Sequence, residues 1–126
     1  YGTSNCPYVI DPIWTNYMKK GEYNPNHFHR DGLVAFVIWV TIPYDIEEEK
    51  RFNKYNTSAS GSKSSCFEFT YTTMEGRIAN HPIFVDKSME GTVIMFPSNM
   101  IHCVYPFLTS DEERISIAGN IQPLRK

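Results

Sequence analysis

Cysteine and histidine are both scarce, with three of the first and four of the second among 126 residues. Cys6, Cys66 and Cys103 are odd in number, widely spaced and form no C-x-x-C pair. Neither a disulfide framework nor a thiolate metal knuckle is expected, and reduced thiols in a cytoplasmic setting are the natural reading. Long apolar runs are missing as well. The longest, Leu33 to Val40, is far short of the about 18 residues that mark a membrane-spanning helix, so no membrane partner is expected. A formal charge of −2 gives no basic footprint, and nucleic acid is not an expected partner. Tyr1 to Pro12 lack a basic region followed by an apolar core, so no secretory signal is read there. The chain does not begin with methionine, and the reading leaves room for an N-terminal part ahead of Tyr1.

Helical periodicity is also rare. Short β-branched and aromatic runs recur instead, separated by turn signals at Lys20-Gly21, Met74-Glu75-Gly76, Ser88-Met89-Glu90-Gly91 and Thr109-Ser110-Asp111. Strands are expected near residues 13–18, 33–42, 65–72, 77–85, 92–97, 102–105 and 114–121. That count suits one all-β domain over residues 1–126, a jelly roll or small barrel with few helices and a pocket between its sheets. Trp14, Phe36, Ile38, Val40, Phe67, Phe69, Val93 and Phe96 are assigned to its core. Between Ile46 and Ser64 the text turns charged and then rich in Ser, Gly, Asn and Thr. It reads as a flexible surface insertion, either without a role or a lid over a site, with Glu47-Glu48-Glu49 followed by Lys50-Arg51 as a solvated face.

Chemistry concentrates in "NHFHRD", where His27, His29 and Asp31 alternate just before an apolar strand. On an extended chain the three leave one face. Two imidazoles and a carboxylate form a facial set that holds a divalent ion such as iron and leaves positions open for substrate and oxygen. His102, far along the chain in "FPSNMIHCVYPF", is the candidate third ligand, because a jelly roll brings an early strand against a late one. An H-x-D pair alone arises often by chance, as a surface histidine beside a turn aspartate. His81, between Asn80 and Pro82, reads as structural or as surface decoration. In "ERISIAGNI", alternation puts Arg114, Ser116, Ala118 and Asn120 on one face and Ile115, Ile117 and Gly119 on the other. If the first face looks inward, a guanidinium and a hydroxyl enter the metal cavity, a receptor for a dicarboxylate. If it looks outward, Arg114 pairs with Glu112 or Glu113. Asn16 and Tyr17 stand on the preceding strand, and one of them must face the pocket.

The blocks "WTNYMKKGEYNPNHFH", "FVIWVTIP", "GTVIMFPSNMIHCVYPF" and "ERISIAGNI" resemble the iron(II)- and 2-oxoglutarate-dependent oxygenases, whose core is a double-stranded β-helix. More specifically, they are similar to a prolyl-4-hydroxylase-like group found in bacteria and marine phages. The resemblance covers most of the chain apart from the insertion and the extreme ends. It implies iron(II), 2-oxoglutarate and O2 as cofactors, with His102 as the distal ligand and Arg114, helped by Ser116, on the far carboxylate of 2-oxoglutarate. A smaller cosubstrate-binding role is expected of Asn16. For the proximal pair, three assignments stand: His29 with Asp31, His27 with His29, and His27 with Asp31. A carboxylate that balances part of the iron charge favours the first, and the H-x-H spelling of the similar group favours the second. The implied reaction is hydroxylation of an unidentified substrate, a prolyl or other peptide side chain or a metabolite. The location is the cytoplasm, or that of a host cell if the gene is viral. Two other readings remain: a cupin-like metalloenzyme that does not use 2-oxoglutarate, and a non-enzymatic jelly-roll binding or virion module.

Overall fold

A computed structural model describes residues 7–54 and 61–124. Cys6 and residues 55–60 of the expected insertion lie outside the described residues. The elements run β1 (Tyr8–Met18), β2 (Asn24–His27), β3 (Val34–Thr41), α1 (Ile46–Lys54), β4 (Cys66–Thr72), β5 (Ile78–Phe84), a 3-10 turn at Lys87–Met89, β6 (Val93–Pro97), β7 (Ile101–Val104) and β8 (Arg114–Pro123). The strands form two four-stranded sheets, β1-β8-β3-β6 and β2-β7-β4-β5. Neighbouring strands pair antiparallel throughout, and the fold is the expected all-β jelly roll. The expected turns fall where the chain reverses, and Gly21, Gly76 and Gly91 adopt φ near +78° there (79°, 78° and 77°), a conformation that side chains bearing a Cβ resist.

The sheets pack through facing aromatic residues. Trp39 from β3, Phe67 and Phe69 from β4 and Phe96 from β6 are buried together with Ala35, Ile42, Tyr44, Val85 and Phe107. Phe67 contacts Trp39, Phe69 and Phe96 at ring separations of 6.2, 5.2 and 5.7 Å, mostly edge-on or tilted, the arrangement aromatic quadrupoles favour. One expectation about the core needs correcting. In β3 the inward set includes Ala35, Val37 and Trp39, not Ile38 and Val40, and both Val40 and Val93 are exposed. Both faces of the Leu33 to Val40 run are apolar, so alternation could not say which one turned inward.

The segment expected as a loose insertion begins with α1. Asp45 starts it, its side chain accepting the N–H groups of Glu47 and Glu48, each at 2.9 Å, an N-cap that satisfies otherwise unpaired donors. Glu49 is fully buried beneath the helix, not part of a solvated face. Ser64, at the far end of the segment, is buried too, as is Ser65 beside it. The remaining cysteines, Cys66 and Cys103, are buried free thiols, and burial pushes the Cys66 thiol up to about 12, which keeps it protonated and unreactive.

At the centre of the first sheet, Gly119 sits where a Cβ would lie 2.7 Å from the Phe36 ring and 3.0 Å from the Pro12 carbonyl oxygen. Gly119→Ala should therefore lower unfolding free energy by about 1–3 kcal/mol through overpacking, measured by urea denaturation. A loss below about 0.5 kcal/mol would mean that β1 and Phe36 move aside freely.

Candidate metal centre and carboxylate pocket

β8 lies between β1 and β3 and turns its Arg114, Ser116, Ala118 face toward the second sheet. Arg114 pairs in register with Met18, Ser116 with Asn16 and Ala118 with Trp14. These residues, together with Val37 and Trp39 from β3, form one wall of a cavity of about 570 Å³. His27, His29, Phe67, His102 and Val104 form the other. The alternation read in the sequence thus takes its inward form: Arg114 is buried and does not reach out to the glutamates that precede it.

Three histidines meet across this cavity. β7 runs between β2 and β4, and His102 stands opposite His27 on one side and Phe69 on the other. His29 follows β2 and is held by a bond from its own N–H to the Ser98 carbonyl at 2.8 Å. The candidate ligand nitrogens of His27, His29 and His102 all lie within 4.8 Å of one another. Each ring has its Nδ1 beside an oxygen acceptor: the Pro25 carbonyl at 2.7 Å for His27, Asn120 Oδ1 at 2.7 Å for His29 and the Met100 carbonyl at 2.9 Å for His102. An oxygen acceptor requires Nδ1–H, so each Nε2 keeps its lone pair. Fixing the tautomer through the second nitrogen is how histidine ligands are oriented in metal sites. The donor set fits a borderline divalent ion such as iron(II) and leaves coordination positions open.

Asp31 does not join this cluster. It is exposed at a bend, after which Gly32 turns with φ of 96°. The extended alternation therefore ends at His29, and the strand-face argument that grouped Asp31 with the histidines fails one residue later. His81 is exposed in β5, also outside the cluster. Asn120, the fourth member of the inward face of β8, supplies the acceptor for His29. Sequence reading placed it on one face with Arg114 without giving it a task. Gly32 secures that contact: a Cβ there would lie 3.0 Å from the Asn120 Cβ and 3.2 Å from the Ser98 hydroxyl.

The surroundings of the cluster are apolar and aromatic. The His102 ring stacks on Phe67 at 5.3 Å and meets Phe96 at 4.9 Å, and His29 contacts Trp14 at 5.5 Å. Burial pushes the His102 imidazole down to about 4; its bond to the Met100 carbonyl works the other way, and the His27 and His29 rings add to the depression. The ring is thus neutral and able to ligate at pH 7.

At the other end of the cavity, the Arg114 guanidinium donates to the Tyr44 hydroxyl at 3.0 Å and the Ser65 carbonyl at 3.4 Å through Nη1, and to Met18 Sδ at 2.7 Å through Nη2. It also lies over the Phe107 ring at 5.6 Å. Among the described residues its partners are neutral, and the ion pairs involve other groups. Burial raises the Tyr44 phenol while Arg114 lowers it. Asn16 extends its amide to the Ser116 hydroxyl on the inward face of β8 at 3.5 Å, and Tyr17, although it borders the cavity, is largely exposed. A buried cation whose direct partners among the described residues are neutral, with a hydroxyl and an amide in the same cavity, is chemically suited to receive a carboxylate.

The depressed His102 imidazole has a consequence for stability. The unfolded chain takes up a proton at this residue below about pH 6.5, whereas the folded chain resists until about pH 4. Metal-free protein should lose up to about 3 kcal/mol as pH falls through that window. Urea denaturation with a chelator present checks this: the His102→Asn variant should lack that component, and an identical pH slope in both proteins would contradict it.

Comparison with known proteins adds a family to this geometry. No curated protein matches the chain. The profile of one family, described as "Putative 2OG-Fe(II) oxygenase", matches residues 12–120, a span that holds every residue of the histidine cluster and of the carboxylate pocket. That family works with iron(II), 2-oxoglutarate and O2, which is the chemistry the three imidazoles and the buried guanidinium are suited to hold. The chain belongs to the 2-oxoglutarate- and iron(II)-dependent oxygenase family.

Proposed function

We propose that the protein is a hydroxylase in which His27, His29 and His102 hold iron(II), and Arg114, with Ser116 and Asn16, receives the distal carboxylate of 2-oxoglutarate. The observation that carries the reading is the pairing of two ends of one cavity: three imidazoles with free Nε2 lone pairs at one end and a buried guanidinium with only neutral partners at the other. Iron(II) with 2-oxoglutarate and O2 supplies a centre that oxidises a C–H bond while the cosubstrate becomes succinate and carbon dioxide.

The chain's own groups then have separable tasks. Asn120, Pro25 and Met100 hold the rings so that the same nitrogen of each faces the cavity. Three neutral imidazoles leave the ion's charge uncompensated, so the negative charge that Asp31 would have brought comes from the cosubstrate instead. Arg114 fixes the far end of that dianion by charge-assisted hydrogen bonds, and Ser116 and Asn16 present a hydroxyl and an amide beside it. Trp14, Val37, Phe67 and Val104 line the cavity and restrict water where an uncharged carbon would approach. The substrate class we favour is a prolyl or other peptide side chain, supported by the resemblance to prolyl-hydroxylase-like enzymes. The cavity wall includes strand β1, an edge of its sheet, beside which an extended chain could lie.

Anaerobic calorimetry with iron(II) followed by 2-oxoglutarate tests the reading, with the visible charge-transfer band of a keto acid on iron(II) as a second signal. Cosubstrate should bind only after metal. Arg114→Ala should weaken 2-oxoglutarate roughly 100-fold, as expected for loss of a bidentate charge-assisted pair, and leave metal affinity unchanged. Absence of both metal and cosubstrate binding would favour a binding module, and metal binding indifferent to Arg114 would favour a cupin-like enzyme.

The ligand set has its own test. His27→Ala should abolish iron binding measured by metal analysis, whereas Asp31→Asn should leave it unchanged. Asn120→Ala should weaken it by about 10–100-fold, the range for loss of a ligand-orienting partner. Iron loss in Asp31→Asn with retention in His27→Ala would reverse the assignment.

A further inference from the structure

Glu49 is a fully buried carboxylate that neither the metal cluster nor the cavity wall includes. Four donors converge on it. The Leu108 and Thr109 N–H groups reach Oε1 at 2.8 and 2.7 Å, the Thr109 hydroxyl reaches the same oxygen at 2.6 Å, and the Ser64 hydroxyl donates to Oε2 at 2.5 Å. A carboxylate offers about four acceptor positions, so Glu49 is satisfied entirely by these neighbours.

The segments it joins are those that seat Arg114. The guanidinium rests on the Ser65 carbonyl, the Phe107 ring and the Tyr44 hydroxyl. Ser65 follows Ser64, Phe107 precedes Leu108, and Tyr44 precedes Asp45, whose carbonyl accepts the Glu49 N–H at 3.0 Å as α1 begins. Tyr44 also stacks on Phe107 at 4.9 Å and feels both charges: Glu49 raises its phenol and Arg114 lowers it. Two stretches remote in sequence, at Ser64 and at Leu108–Thr109, thus meet at the Glu49 carboxylate, each one residue from a contact of the cation, and the Tyr44–Asp45 stretch is tied to the same residue by the backbone bond that opens α1.

We infer that Glu49 is a positioning residue for cosubstrate binding: its carboxylate clasps residues 64–65 and 107–109 against α1, the helix that follows Tyr44, to build the seat of Arg114, and it supplies a nearby negative charge without occupying the guanidinium's donors. A direct ion pair would stabilise Arg114 equally well and block the carboxylate it has to receive. By filling its acceptor positions from backbone and hydroxyl groups, Glu49 leaves those donors to neutral partners, which a stronger acceptor displaces. This inference rests on the reading that Arg114 binds the distal carboxylate of 2-oxoglutarate.

The test separates positioning from simple support of the fold. The Mn(II)-loaded full chain is titrated calorimetrically with 2-oxoglutarate and with 2-oxopentanoate, which has the same keto-acid end and no distal carboxylate. Wild type should prefer 2-oxoglutarate roughly 100-fold. In Glu49→Gln that preference should fall roughly tenfold, with Mn(II) and 2-oxopentanoate affinities within about twofold of wild type. Thr109→Val, which removes one donor and keeps the carboxylate, should lower the preference about threefold and serves if Glu49→Gln does not fold. An unchanged preference in a folded variant overturns the role of Glu49. A wild type with no preference overturns the reading of Arg114 itself, and this inference with it.

Discussion

The alternation of β8 fixes the relation between the two ends of the cavity. One strand carries Arg114, Ser116, Ala118 and Asn120 on its inner face, so the group proposed to grip a carboxylate and the group that holds the His29 ring share a rigid backbone. β8 is paired on both sides, with β1 and β3. A slip of one residue in either pairing would turn the whole set outward. Gly119, on the opposite face of the strand, permits the close approach of Phe36 and so helps hold that register.

Burying a guanidinium is unfavourable unless its donors find acceptors. Here the acceptors are a phenol, a peptide carbonyl and a thioether, with an aromatic face alongside. Each is weaker than a carboxylate, so the cation is tolerated without being fully compensated. The histidine cluster follows the same logic. Three imidazoles are packed among Phe67, Phe96 and Trp14 with their Nδ1 atoms bonded and their candidate ligand nitrogens within 4.8 Å of one another. Both ends are stabilised enough to stay in place and are left short of the partner that a ligand brings.

Much of this was legible in the sequence. Seven of the eight strands, the turns and the two faces of β8 follow from period-two alternation and from glycines at reversals, and Arg114, Ser116 and Asn16 line the cavity; alternation alone left open which face of β8 turns inward, and β2, which carries His27, was not expected. Other features were also not legible. Asp31 was grouped with His27 and His29 because alternation was continued through a bend that only the tertiary path imposes. The inner face of β3 could not be chosen from a run in which every residue is apolar. Glu49 was hidden in a charged string that reads as solvated surface; nothing local says that one of three consecutive glutamates will meet the N–H groups of Leu108 and Thr109. Asn120 lay between these cases, grouped with Arg114 on one face, with its partner knowable only once β8 had been set against the segment after β2.

Pulsed electron paramagnetic resonance of the Mn(II)-loaded protein bears most directly on the central claim, that three histidines hold the metal at one end of a cavity closed at the other by Arg114. With 2-oxoglutarate carrying carbon-13 at either end, couplings to three imidazole nitrogens should appear, together with strong carbon coupling from the keto-acid end and only weak, distant coupling from the far carboxylate. Two imidazole nitrogens in place of three, or a far carboxylate coupled as strongly as the keto-acid end, would contradict the account.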